Sequence, residues 1–159
     1  MGRPRRSVGS GAMGLFSVYI VNRAGSLIYQ KDLAPDVMPR LGGNDYIRCG
    51  STFHTLSSIA EQISPTATSS GIVAIQTDTF ALRCFHSLTG LKIFVMAERD
   101  ARDADLNEVL SAIYKHYSDY VMKNPFYTEG MLIKVSLFEE KIDSLAKAYR
   151  AHYKAHYRG

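Results

Sequence analysis

Phe80 to Ser87 carries apolar side chains on both faces, and that property limits what the chain can fold into more than any other. Alternate side chains of a strand point to opposite sides. Phe80, Leu82, Cys84 and His86 therefore share one face, and Ala81, Arg83, Phe85 and Ser87 share the other. β-Branched and aromatic residues also cluster in Gly71 to Thr77 and Leu91 to Ala97, as strands prefer. Turn signals at Asp78-Thr79 and at Leu88-Thr89-Gly90 separate the three, and Gly90 tolerates a positive φ. Ser64 to Ala97 is thus a loop followed by a three-stranded meander. A sheet that is apolar on both sides needs cover on both sides.

The remaining segments can supply it. Leu15 to Asn22 (LFSVYIVN) is a strand with large side chains on both faces, and Ser26 to Lys31 (SLIYQK) pairs with it across Arg23-Ala24-Gly25. Leu33 to Gly43 holds Pro35, Pro39, Gly42 and Gly43, a connector unsuited to the interior of a strand or helix. From Asn44, read as an N-cap, Phe53, Leu56, Ala60 and Ile63 recur at spacings of three and four until Pro65 closes the run. This spacing predicts a helix that buries those four residues. His54, Ser57, Ser58, Glu61 and Gln62 are left outside, a weakly charged face that suits a partner.

Farther along, Asp105 and Glu108 resemble a capping box. Leu106, Val109, Leu110, Ile113, Tyr117 and Val121 mark one face of a long helix. Pro125, in Asn124-Pro125-Phe126-Tyr127, stops it. A short apolar run follows within Glu129 to Val135, and Phe138, Ile142, Leu145 and Tyr149 give a last amphipathic helix.

A chain of 159 residues is expected to be one domain. Residues 1–12 (MGRPRRSVGSGA) have too little apolar surface to pack and are read as a disordered extension. Residues 13–149 form the domain, and residues 150–159, with Ala-His-Tyr repeated, a basic aromatic tail that is frayed or exposed. There is no run of about 18 apolar residues to span a membrane, and the opening lacks a secretory signal. Arg6 stands where a myristoylation pattern wants Ser or Thr. A cytoplasmic protein is expected. The net charge is +4, but Arg3, Arg5 and Arg6 of the extension supply most of it. No basic stripe interleaved with aromatics remains, so nucleic acid is not an expected partner.

No chemistry-bearing constellation emerges. Cys49 and Cys84 lack metal-ligand spacing and are expected to be reduced, buried thiols. His152 and His156 lie one helical turn apart without a third ligand, which favours a solvated tail over a metal site. His54, His86 and His116 are scattered, and no Ser or Cys sits in a nucleophile elbow. Neither Gly42-Gly43 nor Gly71 has the lysine and spacing of a phosphate loop. Asp103-Asp105 and Glu139-Glu140 fall at expected helix starts, where the macrodipole favours carboxylates. No catalytic residue, cofactor or metal is expected; a hydrolase using Cys84 would need a thiol of lowered pKa in a cleft.

Three separated phrases carry a resemblance: FSVYIVNRAGSLIYQ (Phe16 to Gln30), SSGIVAIQTDTFALRCFHSLTGLKI (Ser69 to Ile93) and IYKHYSDYVMKNPFYTEGMLIKVSLF (Ile113 to Phe138). In this order they resemble the sybindin-like small subunits of the TRAPP complex, nearest the synbindin branch, over about Met13 to Leu145. The eleven connector residues 33–43 leave no room for the PDZ-like insertion of some synbindin subunits. The resemblance implies an α+β, longin-like (SNARE-like) fold: a five-stranded antiparallel sheet ordered 2-1-5-4-3, with one helix on one face and two on the other. It also implies a structural subunit of a vesicle tether and guanine-nucleotide exchange factor for a Rab-family GTPase in endoplasmic reticulum to Golgi transport. Such a chain is not catalytic alone. Other TRAPP small subunits would be its partners and the GTPase would bind the assembled complex. Membrane association, at the endoplasmic reticulum and cis-Golgi, would be peripheral and through the complex.

In that order Gly71 to Thr77 is a sheet edge beside the first helix, which makes Ile72, Ala74, His54 and Ser58 the candidate partner-binding residues. Asn124 to Tyr127 is either a turn packed on the core or a contact. The competing expectation is a longin-type binding module of a SNARE or an adaptor-complex small chain. A longin SNARE would continue into a heptad segment and a membrane anchor, which these residues do not contain.

Overall fold

A computed structural model of the chain describes residues 14–33, 43–65, 74–78 and 80–157, apart from the side chains of residues 43, 44, 46 and 153–157. Five strands form the sheet: β1 (Leu15–Val21), β2 (Leu27–Asp32), β3 (Ala74–Gln76), β4 (Phe80–His86) and β5 (Lys92–Glu98). Their order is β2-β1-β5-β4-β3, with every neighbouring pair antiparallel. Three helices accompany them, α1 (Gly43–Ile63), α2 (Asp103–His116) and α3 (Ser136–Tyr157). The strand order and the α+β architecture are those the resemblance implied, and the sheet is covered on both sides, as its two-faced strands required. The expected extension, the connector at residues 34–42, Ile72 and Thr79 lie outside the described residues.

β1 and β5 lie inside the sheet, and all seven residues of β1 are buried, which is why LFSVYIV shows no polar alternation. The β1–β2 and β4–β5 hairpins turn at glycines of positive φ. Gly25 has φ +89° and donates its amide to the Asn22 carbonyl at 3.0 Å; Gly90 has φ +89° and donates to Ser87 at 3.1 Å. Side chains other than glycine resist that region.

α2 and α3 cover one face. Leu106, Val109, Leu110 and Ile113 of α2 pack with Val18, Ile20, Ile93 and Val95 of the sheet and with Phe138 and Ile142 of α3 in one continuous core. The six residues expected on one face of the long helix are all buried. The last two sit in a π-helical turn, Tyr117–Met122, that continues α2. The cap differs from expectation. α2 starts after Arg102 with no side-chain cap, and Asp105 lies inside the first turn, where its carboxylate stands 3.5 Å from His152 Nε2.

That contact bears on the far end of the chain. α3 runs on past Tyr149 to Tyr157, with Ala151 and His152 exposed and the His152 ring 3.5 Å from the Asp105 carboxylate of α2. Tyr149 is itself buried, so the residues that follow extend a helix that is already anchored. The apolar run before α3 forms no strand. It places one hydrogen bond on the outer edge of β2, from Ile133 N to Ile28 O at 2.8 Å, and Lys31 of β2 reaches Asp143 and Glu139 of α3 at 2.9 and 3.3 Å. Partial burial opposes the charge on Lys31, but its hydrogen bonds to these carboxylates prevail and raise its pKa.

Candidate partner-binding surface

Among the described residues α1 alone covers the other face of the sheet, and it lies over β1 and β2. Phe53 is its anchor: its ring meets Phe94 at 4.3 Å between centroids, and Phe94 stacks on Tyr19 at 4.8 Å with planes 7° apart. Aromatic pairs in such offset arrangements stabilise beyond their buried area. On either side of Phe53 the helix approaches through small residues. Gly50 is buried, and a Cβ there would come within 3.3 Å of Leu27 and 3.4 Å of Val21; Ser57 is 1% exposed.

This close approach overturns the expected orientation of α1. Of the four residues predicted to be buried, Phe53 is, Ala60 is half-buried, and Leu56 and Ile63 are 47% and 76% exposed. Ser57, predicted outside, is buried, while Glu61 and Gln62 are exposed as expected. Large branched side chains do not fit where the helix backbone nearly touches the sheet, so Gly50, Phe53 and Ser57, at i, i+3 and i+7, become the inner face. Leu56, Ile59 and Ile63 turn aside as an exposed apolar stripe. The helix also begins one residue earlier than read, with Asn44 inside its first turn; boundaries of this kind shift readily by a residue.

Beside the stripe a groove of about 490 Å³ opens between α1 and the part of the sheet it leaves bare. Phe53 and Leu56 line it from the helix; Phe80, Leu82, Phe94 and Met96 line it from β4 and β5. Stripe and groove together form a surface that the helix periodicity did not indicate. The signal lay in Gly50 and Ser57, small residues flanking Phe53 at helical spacing.

Of the candidates named from the sequence, Ile72 lies outside the described residues, and His54, Ser58 and Ala74 do not meet in one cluster. His54 lies on the opposite flank of α1 from Leu56, half-buried under the β1–β2 turn. A Cβ on Gly25 would stand 2.8 Å from its ring, and the Lys92 ammonium donates to its Nδ1 at 3.1 Å. Burial, then the Lys92 charge, lowers the His54 pKa. Ser58, also half-buried, donates its hydroxyl to the His54 carbonyl at 3.0 Å, within its own helix. Ala74 is exposed on β3, the short strand at the far edge of the sheet. Its neighbour Ile75 packs toward the groove side, so Ala74 points to the other face.

The thiols divide. Cys84 is buried on β4, as expected, and burial pushes its pKa up to about 12, which withholds the thiolate that nucleophilic catalysis needs. Cys49 is exposed on α1 at the groove, contrary to expectation, because it lies outside the inner face set by Gly50 and Phe53. Among the described residues no group of three or more His, Cys, Asp or Glu side chains is placed to hold a metal ion, and no helix is long and apolar enough to cross a membrane.

Comparison with known proteins agrees with this architecture. A roadblock/LC7 domain from Streptomyces avermitilis superposes with a TM-score of 0.54 over 69% of this chain and 88% of its own, at 17% identity, a likeness of fold. Trafficking protein particle complex subunit 4 of Dictyostelium discoideum is 46% identical over 134 residues, 84% of this chain and 96% of that protein. The Bos taurus protein of the same name is 45% identical over 104 residues, 65% of this chain; the match spans 47% of that relative, about half its length. The Sybindin-like family matches residues 15–149, and the chain belongs to that family.

Proposed function

We propose that this chain is a structural subunit of a trafficking protein particle, the TRAPP assembly, and supplies part of a composite surface on which that assembly binds a Rab-family GTPase. The observation that carries the reading is the open apolar surface of Leu56, Ile59 and Ile63 with its neighbouring groove. The names of the similar proteins, each a subunit 4 of a trafficking particle, give that surface a partner class: the other small subunits. Contiguous exposed apolar patches mark interaction sites.

In this reading the stripe and groove take a neighbouring subunit, and the edge strand β3, which carries Ala74, offers backbone groups to the same or a further partner, with Ile72 a further candidate from the sequence. His54 and Ser58 hold the rear flank of α1 and set its position. Exchange of nucleotide then needs no covalent chemistry. A surface that binds the nucleotide-free GTPase more tightly than the loaded one shifts the equilibrium toward release. The chain contributes to that surface in the assembly and is inactive alone. The assembly would act in endoplasmic reticulum to Golgi transport, and the chain would reach those membranes peripherally, through it.

The test is co-expression of the chain with the other small TRAPP subunits of the same source, followed by the mass of what co-purifies and the rate of nucleotide release from a Rab-family GTPase. A stable complex that accelerates release, beside a single chain that does not, is expected. A chain that stays monomeric with those subunits present would overturn the proposal.

A further inference from the structure

A second cleft lies at the end of the sheet where the β1–β2 and β4–β5 turns meet the π-helical turn. It encloses about 310 Å³. Ile28, Leu91 and Tyr117, all buried, form its inner wall with half-buried Tyr114, and Arg23 and Glu129, both exposed, stand at its mouth. A shallower hollow of about 530 Å³ shares Arg23 and Glu129 with it, so the two make one elongated cleft with a cation and an anion at its middle.

The Arg23 stem lies against Gly90, where a Cβ would come within 2.9 Å of Cγ, so the glycine gives this arginine its place. Lys31, Arg83 and Lys123 each find a carboxylate within 4 Å, yet among the described residues neither Arg23 nor Glu129 joins an ion pair. Both exposed charges stand at the edge of an apolar concavity.

We propose that this cleft binds a short segment of a partner protein in which an aliphatic or aromatic anchor stands between an acidic and a basic side chain. The anchor enters the apolar lobe, where burial supplies most of the affinity. The acidic group meets Arg23 and the basic group Glu129, which fixes the direction of the segment. A polyanion gains little here, because Glu129 at the same cleft offsets Arg23. The same cancellation disfavours an anionic membrane.

The test is an NMR titration of the full chain with acetylated, amidated peptides whose cores, flanked by glycine, are Asp-Leu-Lys, Asp-Ala-Lys, Ser-Leu-Ser and Asp-Leu-Asp. The Asp-Leu-Lys peptide should saturably shift Arg23, Leu91, Tyr114 and Tyr117, with the alanine and serine peptides each at least about threefold weaker. Glu129→Arg should make Asp-Leu-Asp the tighter ligand of the last pair, a gain that a misfolded variant cannot mimic. Shifts centred on α1, equal binding of the alanine peptide, no saturable shift at millimolar peptide, or an unchanged preference in Glu129→Arg would each overturn the proposal.

Discussion

The two faces of the sheet are finished differently. On one, α2 and α3 close a continuous core in which Phe138, Ile113 and Ile93 are inaccessible to solvent. On the other, α1 rests on a small cluster around Phe53, Phe94 and Tyr19 and leaves an apolar stripe and groove in the open. The strands carry apolar side chains toward both sides, so the sheet alone does not cause the difference. It comes from helix number and from the inner face of α1. The first face is completed by the chain itself; the second retains surface that a partner can bury, and the two should respond to substitution in opposite ways.

The largest contrast is expected in the closed core. Phe138 is fully buried and meets the Tyr29 ring edge-on at 5.1 Å. Phe138→Ala should cost about 3–5 kcal/mol, from lost transfer energy and the cavity left behind. Denaturant unfolding of the isolated chain would show it as a lower midpoint. A loss below about 1 kcal/mol would mean that this face is not closed as described.

The contact between the β1–β2 turn and α1 comes next. Gly25 pairs a φ of +89° with a close approach to His54, so Gly25→Ala strains the backbone and displaces the ring. A cost of about 1–3 kcal/mol is expected. Adding His54→Ala should recover part of it, because the collision goes while the backbone strain stays. A double-mutant cycle with no coupling would show that His54 does not hold α1 to the turn.

How much of this contrast was legible in the sequence follows from what each element depends on. The meander and hairpin were legible because their signals are local: strand residues between turns that need Gly25 and Gly90. The closed face was legible because Leu106, Val109, Leu110 and Ile113 are both apolar and correctly spaced. α1 was misjudged because periodicity counts apolar residues, whereas the packing face was chosen by how closely Gly50 and Ser57 let the backbone approach. The Asp105–His152 contact joins residues far apart in the chain, and the cleft at Arg23 and Glu129 is assembled by several segments, which no local pattern reports.

A smaller effect is expected from pH. His54 and His116 both have lowered pKa values, chiefly through burial, with Lys92 opposing protonation of the first and Lys141 of the second. The folded state therefore binds fewer protons than the unfolded chain just below the ordinary histidine pKa. Their contribution is fully present above about pH 6.5 and is lost as pH falls through the lowered values. Unfolding midpoints between pH 7.5 and pH 5.5, a range that brackets that value, should decline, and His54→Gln should flatten part of the slope. An unchanged slope in that variant would remove His54 from the account.

The smallest effect on the isolated chain is also the one that separates the faces most sharply. Ile63 is 76% exposed at the end of the α1 stripe, so Ile63→Ser should change stability by no more than about 0.5 kcal/mol. A ligand that binds only the folded state stabilises it by mass action, about 2.7 kcal/mol at a hundredfold excess over Kd. With a binding subunit present the native chain should gain stability of that order, and the variant, by weakening the contact, should gain less. A loss above about 1 kcal/mol in the isolated chain would mean that Ile63 is already covered. Equal gains for both chains would move the docking surface away from the stripe, toward the edge of β3.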